Sequence, residues 1–520
     1  MTAGRGERDA AGAAVPIPGD DPKRAGNRRE TRDGHRAPVT VPALRSTSPV
    51  TGLRRRRLGR WDVLAQSVAA TAPAAAMATS PGQALALAGS PPSALAYLVA
   101  TVLVLLVSSC VGQFSRRMVA PGSLYSFTAK GLGPTAATVA GGSLVVGYGF
   151  LVAGALTGAS MAAAALVGHL VPVPDGPVPL VAGVLLAALL VAAPVVRGAG
   201  VSARLALTLE AVAISAVAVV LVVVVVAAVR AGAPGPAGVG VVLDGGGHPF
   251  GPGGQGLLLA VTAFVGFESA GALASESRRP FSVVPWAVRT TALGAGLLYV
   301  LAAAAQAVVF AGTPGLGATP LPLAEAVRVL TDPRLVTVLE LGVLTSFAGC
   351  ASGSLTALVR LVFTTGREGV APRALGRTGR WGTPATAVAW ATAVAAAVPA
   401  AVLAAGVPVA DALRGLLVVS TCGYVGAYVL VCCAAPVFLR RIGELTALPV
   451  LVAVVATASL VAVLAACTAW ALAAGGGWVL VAAALLVAAV VRALALRRWR
   501  PDLLTAVGLY DETRQQDVLQ

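Results

Sequence analysis

The chain has 520 residues, of which 57% are hydrophobic and only 12% charged, about half the charge density of a water-soluble protein. Its mean hydropathy is +0.84. Charge-free runs such as Val178–Val196 and Ala211–Val229 match the ~20 apolar residues of a bilayer crossing. These runs are apolar on every face, which excludes a spanning β-barrel, where polar and apolar residues alternate. The sequence therefore reads as an all-α, multi-spanning membrane protein.

The first 60 residues hold 14 Lys and Arg against six acids, half of the formal net charge of +16, and no aromatic side chain. Without a base-stacking platform, nucleic acid is not the expected partner. The run Arg54-Arg55-Arg56-Arg57 beside the first apolar segment suits anionic lipid instead. Residues 1–60 read as a disordered basic cytoplasmic tail, 61–499 as the membrane domain and 500–520 as a short cytoplasmic C-terminal tail. No apolar core follows Met1 as a signal peptide requires.

Twelve apolar segments follow, at about 63–88, 93–112, 135–168, 178–196, 202–229, 256–275, 286–311, 335–364, 384–405, 412–435, 447–472 and 478–496. In that register 34 of the 38 basic residues fall on one side, so the positive-inside rule places both termini in the cytoplasm and the protein in the cell membrane.

Two segments are unlike the others. The first carries Pro73 at its middle, where the missing donor and the ring kink or open the helix. The sixth reads Ala263-Phe264-Val265-Gly266-Phe267-Glu268-Ser269-Ala270-Gly271, small residues around an acid at mid-membrane. Taken singly, each is a tolerated kink or a packing contact. At matching positions of two five-helix halves, they point to a midplane substrate site.

Three acids lie inside apolar segments, Glu210, Glu268 and Glu340. A charge at that depth costs at least ~2.5–3.5 kcal/mol, so each needs a partner, water or a proton. Glu268 and Glu210 are the candidate proton carriers. For Glu210 the competing expectation is an ion pair with Arg204 near the interface, and for Glu340 a solvated helix end. Tyr148, mid-span, is placed to hydrogen-bond a carboxylate across the site. The six cysteines form no C-x-x-C pair and the three histidines lie in the tail or outer loops, so neither a metal nor a cofactor is expected.

Three stretches together resemble the amino acid permeases of the amino acid–polyamine–organocation superfamily. They are Phe264-Val265-Gly266-Phe267-Glu268 with Glu276-Ser277-Arg278-Arg279-Pro280, Arg116 to Tyr125 ending in Gly131-Leu132-Gly133-Pro134, and Arg360 to Phe363 with Gly366 to Pro372. The resemblance implies a five-plus-five inverted repeat, broken helices one and six, and two C-terminal helices. It implies a secondary transporter that moves amino acids or related amines by alternating access, as a symporter using a proton or as an exchanger. The substrate carboxylate would meet Thr71, Ala72, Pro73, Ala74 and Ala75. Phe264 and Gly266 would contribute from helix six, with Phe267 closing over the ligand. This sequence departs from the pattern in lacking Gly-x-Gly at the first break and a lysine on helix five, where Glu210 stands. The competing classes are a channel-like pore, a non-transporting sensor on the same fold, and a membrane-embedded enzyme. No repeated ring motif, no nucleophile–base pair and no G-x-x-x-x-G-K-[ST] loop supports them. The sequence sets no oligomeric state.

Overall fold

The computed structural model describes residues 57–88, 94–174, 176–233, 255–312, 321–379, 382–474 and 476–508. Most of the expected disordered tail, and the last 12 residues, lie outside them. Among the described residues the chain is helical, with one isolated backbone bridge between Leu58 and Ser277. Ten helices among these residues are long and apolar enough to cross a membrane.

The first segment is two helices, α1 (Arg60–Thr71) and α2 (Pro73–Ala88). Then come α3 (Ala94–Ser115), a short α4 (Leu124–Leu132), α5 (Pro134–Gly168), α6 (Pro177–Arg197) and α7 (Ala199–Arg230). The sixth segment is helical only over α8 (Gln255–Thr262) and a 3-10 turn at Ser269–Leu273. Beyond it lie α9 (Pro280–Gly312), a short α10 (Pro322–Leu330), α11 (Arg334–Arg367), α12 (Ala385–Ala404), α13 (Val409–Arg441), α14 (Ala447–Ala474), α15 (Gly477–Trp499) and α16 (Pro501–Thr505).

Burial sorts these helices into two sets. The apolar windows of α5, α11 and α13 are about two-thirds buried, whereas those of α6, α14 and α15 are less than a third buried and turn leucine and valine outward. Outward apolar side chains are what a lipid-facing helix presents, because hydrocarbon tails solvate them. The inner helices carry small residues instead: Gly147 and Gly423 meet where α5 crosses α13, with Gly147's backbone nitrogen 2.5 Å from where a Cβ on Gly423 would sit. A side chain there would drive the two backbones apart, so glycine sets the approach.

Both chain ends of the described region are tied to the helices. The amides of Arg57 and Leu58 donate to Glu276 O, at 2.9 and 3.0 Å, and Arg278 N donates to Leu58 O at 3.0 Å. At the other end Leu504 is buried and Gly508 N donates to Glu368 Oε1 at 2.9 Å. The sequence places residues 57–60 and 500–508 in tails; the backbone pairs them with the membrane domain.

Candidate functional site

The break in the first segment is built by two adjacent residues. Ala72 takes a left-handed conformation, φ 44°, and its N–H closes onto Ala69 O. That conformation costs an L-residue roughly 1–2 kcal/mol. Pro73 then begins α2, where its fixed φ suits the first helical position and its missing N–H leaves nothing unsatisfied. The amides that a helix start leaves over are Ala74 and Ala75, since Ala76 N donates to Ala72 O at 3.0 Å. Ala74 N donates to Glu210 Oε1 at 2.9 Å, and Ala75 N to Ser346 Oγ at 3.0 Å. Ser346 in turn donates to Glu210 Oε1 at 2.9 Å. On the other side of the break, the carbonyl of Ala70 accepts from Cys350 Sγ at 3.2 Å. Tyr299 Oη lies 3.3 Å from Thr71 O and 2.8 Å from Ala263 O, so one phenol spans both broken segments.

The second break packs directly on the first. After Thr262 the chain runs through short turns, with Gly266 at φ +93°. A Cβ on Gly266 would stand 3.0 Å from the carbonyl oxygen of Ala70, so glycine is needed both for the turn and for the approach. Ser269 Oγ donates to Gln66 O at 3.1 Å and Ala270 N to Ser67 Oγ at 3.0 Å, while Gln66 Nε2 donates to Gly353 O at 2.7 Å. These bonds fasten the broken sixth segment to α1, and α1 to α11.

Glu268 is fully buried in this region. Tyr148 Oη donates to its Oε1 at 2.8 Å and Tyr428 Oη to its Oε2 at 2.5 Å, fastening the broken segment to α5 and α13. Tyr148 meets Tyr424 edge-on at 5.0 Å, and Tyr428 packs on Phe267 at 5.5 Å. Phe264 packs edge-on against Tyr299 at 4.9 Å.

Between the two breaks lies a cavity of about 50 Å³. Thr71, Ala72 and Ala75 line it from the first segment, Ala263 and Val265 from the sixth, and Phe347 and Cys350 from α11. Among the described residues no charged side chain reaches its wall. Of the residues the sequence singled out, Thr71, Ala72 and Ala75 reach the cavity wall, while Pro73, Ala74, Phe264, Gly266, Phe267, Tyr148, Glu268 and Glu210 do not line it. The Phe267 ring packs on Tyr428.

The sequence matches the family described as amino acid permease over residues 62–503. The chain belongs to that family. A 146-residue stretch is 32% identical to the D-serine/D-alanine/glycine transporter of Escherichia coli strain K12, covering 27% of this chain and 30% of that protein. A 133-residue stretch is 27% identical to a protein named a probable amino-acid permease in Schizosaccharomyces pombe, covering 25% and 26% of the two chains. The chain thus spans under a third of the length of these curated relatives. Among solved structures, a mutant form of the manganese transporter of Eremococcus coleocola shares the fold. The TM-score is 0.51 at 13% identity, covering 85% of this chain and 95% of that one.

Two acids of the permease lie elsewhere than the sequence suggested. Glu210 makes no pair with Arg204, which is exposed and binds Asp62 Oδ1 at 2.7 Å instead. Six residues, about one and two-thirds helical turns, separate the two, and that rotation turns Glu210 inward onto the break of the first segment. Glu340 is not a solvated end: it is 3% exposed, with His169 Nε2 at 2.9 Å and Arg328 at 3.8 Å. The carboxylate that Tyr148 reaches is that of Glu268.

Four residues of the permease's central region escaped the sequence reading: Tyr299, Ser346, Tyr424 and Tyr428. A signal existed for the last two, because tyrosines four apart in an apolar helix share one face. Ser346 and Tyr299 carry no such mark; polar residues on other segments were equally placed in sequence. Gln306 Nε2 donates to Met77 O at 2.5 Å, joining α9 to α2. Among the described residues no group of three His, Cys, Asp or Glu is placed to hold a metal ion.

Proposed function

We propose that this permease carries small neutral amino acids across the cell membrane by alternating access. The observation that carries the reading is the cavity between the two helix breaks, about 50 Å³ and without a charged side chain in its described wall. At roughly 10–15 Å³ of such volume per water, it holds about three to five heavy atoms, so glycine fits at the upper end and alanine and serine fit after small side-chain shifts. The name of the matching E. coli relative, a D-serine/D-alanine/glycine transporter, agrees with that size. The amides and carbonyls at the broken helices, held in this structure by Glu210, Ser346, Cys350 and Tyr299, are the polar groups a ligand would take over. In this reading the substrate lies against Thr71 to Ala75 and the turn from Phe264 to Phe267. The domain has twelve spans arranged as a five-plus-five inverted repeat plus two helices, with both termini cytoplasmic. The proton is the coupling ion, with Glu268 its carrier within the broken sixth segment.

Proteoliposomes holding the purified full chain test this. Labelled glycine, D-alanine and D-serine are expected to accumulate with an inward proton gradient, and tryptophan to be excluded. Uptake of tryptophan at the glycine rate, or no uptake of any amino acid, refutes the substrate class. Glu268→Gln is expected to keep exchange of internal for external substrate, which moves no net proton, while losing gradient-driven accumulation. Normal accumulation in that variant refutes Glu268 as the carrier.

A further inference from the structure

The start of α2 presents two amides, and the protein itself fills both. Glu210 accepts from Ala74 N at 2.9 Å, Ser346 accepts from Ala75 N at 3.0 Å, and the serine hydroxyl is spent on Glu210. A side-chain carboxylate therefore sits where the positive end of a half-helix favours an anion. Glu210 is fully buried, and its second oxygen, Oε2, has no partner among the described residues. No cationic side chain pairs with it there either, since Arg204 on the same helix faces Asp62. The occupant is thus half-satisfied: one oxygen receives two hydrogen bonds and the other none. The cavity wall includes Thr71, Ala72 and Ala75, so the amides that Glu210 and Ser346 hold belong to the same stretch of backbone that borders it.

We infer that Glu210 is a tethered competitor for the substrate's carboxylate, resting on the Ala74 amide and on the Ser346 hydroxyl that holds Ala75, and withdrawing when an amino acid binds. This rests on the amino acid reading above and adds a specificity-determining residue to it. An amino acid arriving at the break meets a carboxylate already there, and two carboxylates cannot share one pair of amides without strong repulsion. Binding therefore includes the cost of moving Glu210 off Ala74 and Ser346. That cost weakens affinity for every ligand with a free carboxylate and leaves a ligand without one largely untouched. The competitor also keeps the amides of the empty site satisfied, so that the break does not leave bare donors in the membrane.

The test is the ratio of two affinities, measured by equilibrium binding to the full chain in nanodiscs. The probes are glycine and glycinamide, which differ at the group in question. In Glu210→Gln the neutral amide oxygen is a weaker occupant than a carboxylate. The difference between a charge-assisted and a neutral hydrogen bond is worth about fivefold. Glycine is expected to bind about fivefold tighter to this variant, with glycinamide changed little, and Glu210→Asp is expected to return the ratio toward that of the wild type. A merely structural Glu210 moves both probes alike. Ser346→Ala removes the hydroxyl that steadies the carboxylate and frees Ala75 N, so it is expected to shift the ratio in the same direction, and it carries the test should Glu210→Gln fail to fold. An unchanged ratio with measurable glycine binding refutes the competitor alone. Absence of glycine, D-alanine and D-serine binding in the wild type and all variants refutes the substrate class, and the competitor with it.

Discussion

Removing one hydroxyl from Tyr428 probes how the broken sixth segment is held. Tyr428→Phe deletes the 2.5 Å bond to Glu268 Oε2 and leaves Tyr148 on the other oxygen at 2.8 Å. A hydrogen bond to a charged group contributes about 1.5–3 kcal/mol, and a buried oxygen left behind loses its donor without replacement. The ring stays, so packing on Phe267 at 5.5 Å is kept and the loss is that of the hydroxyl. The expected destabilisation is therefore about 2 kcal/mol, read by denaturant titration of the purified protein in micelles. Tyr148→Phe should cost a comparable amount. The two hydroxyls serve one carboxylate, so the double variant should lose more than the sum of the singles, by ~0.5 kcal/mol or more. Two single variants each within ~0.5 kcal/mol of wild type would refute the clamp.

Other perturbations follow from the same geometry. Gly353→Ala places a Cβ 2.9 Å from Ala70 N, a backbone atom that cannot swing aside; it should cost about 1–3 kcal/mol in the same titration and weaken glycine binding. Glu276→Gln leaves Arg360, 3% exposed, without the carboxylate whose Oε1 lies 2.7 Å from its Nη2; a loss of about 3–5 kcal/mol is expected, seen as poor yield of folded protein. A double replacement, Glu276→Gln with Arg360→Met, should recover much of that loss. Single cysteines replacing Arg116 and Arg373 should label with an impermeant maleimide only after the cells are opened; labelling of intact cells refutes cytoplasmic termini.

Much of the fold is legible locally. Runs without charge specify the membrane helices, and Pro73 and Gly266 mark where two of them break, because proline lacks a donor and glycine alone reaches φ +93° at no steric cost. The short helices α4 and α10 were not legible, since nine residues between membrane segments read equally as loop. The break itself fell at Ala72, one residue before the proline that causes it.

What the sequence could not supply is which side chain meets which. It determined that buried acids exist at 210, 268 and 340, since bilayer depth makes any acid conspicuous. Their partners lie 136 residues away for Glu210 and Ser346, 160 for Glu268 and Tyr428, and 171 for His169 and Glu340. Those pairings depend on how far each helix is rotated about its axis, and rotation is set by the packing of small residues against neighbouring helices. Six residues along α7 separate Arg204 from Glu210, and that rotation sends the arginine to Asp62 and the glutamate to Ala74. The sequence alone thus determines that an acid is buried there; only the assembled bundle decides that it lies on the amides of the first break.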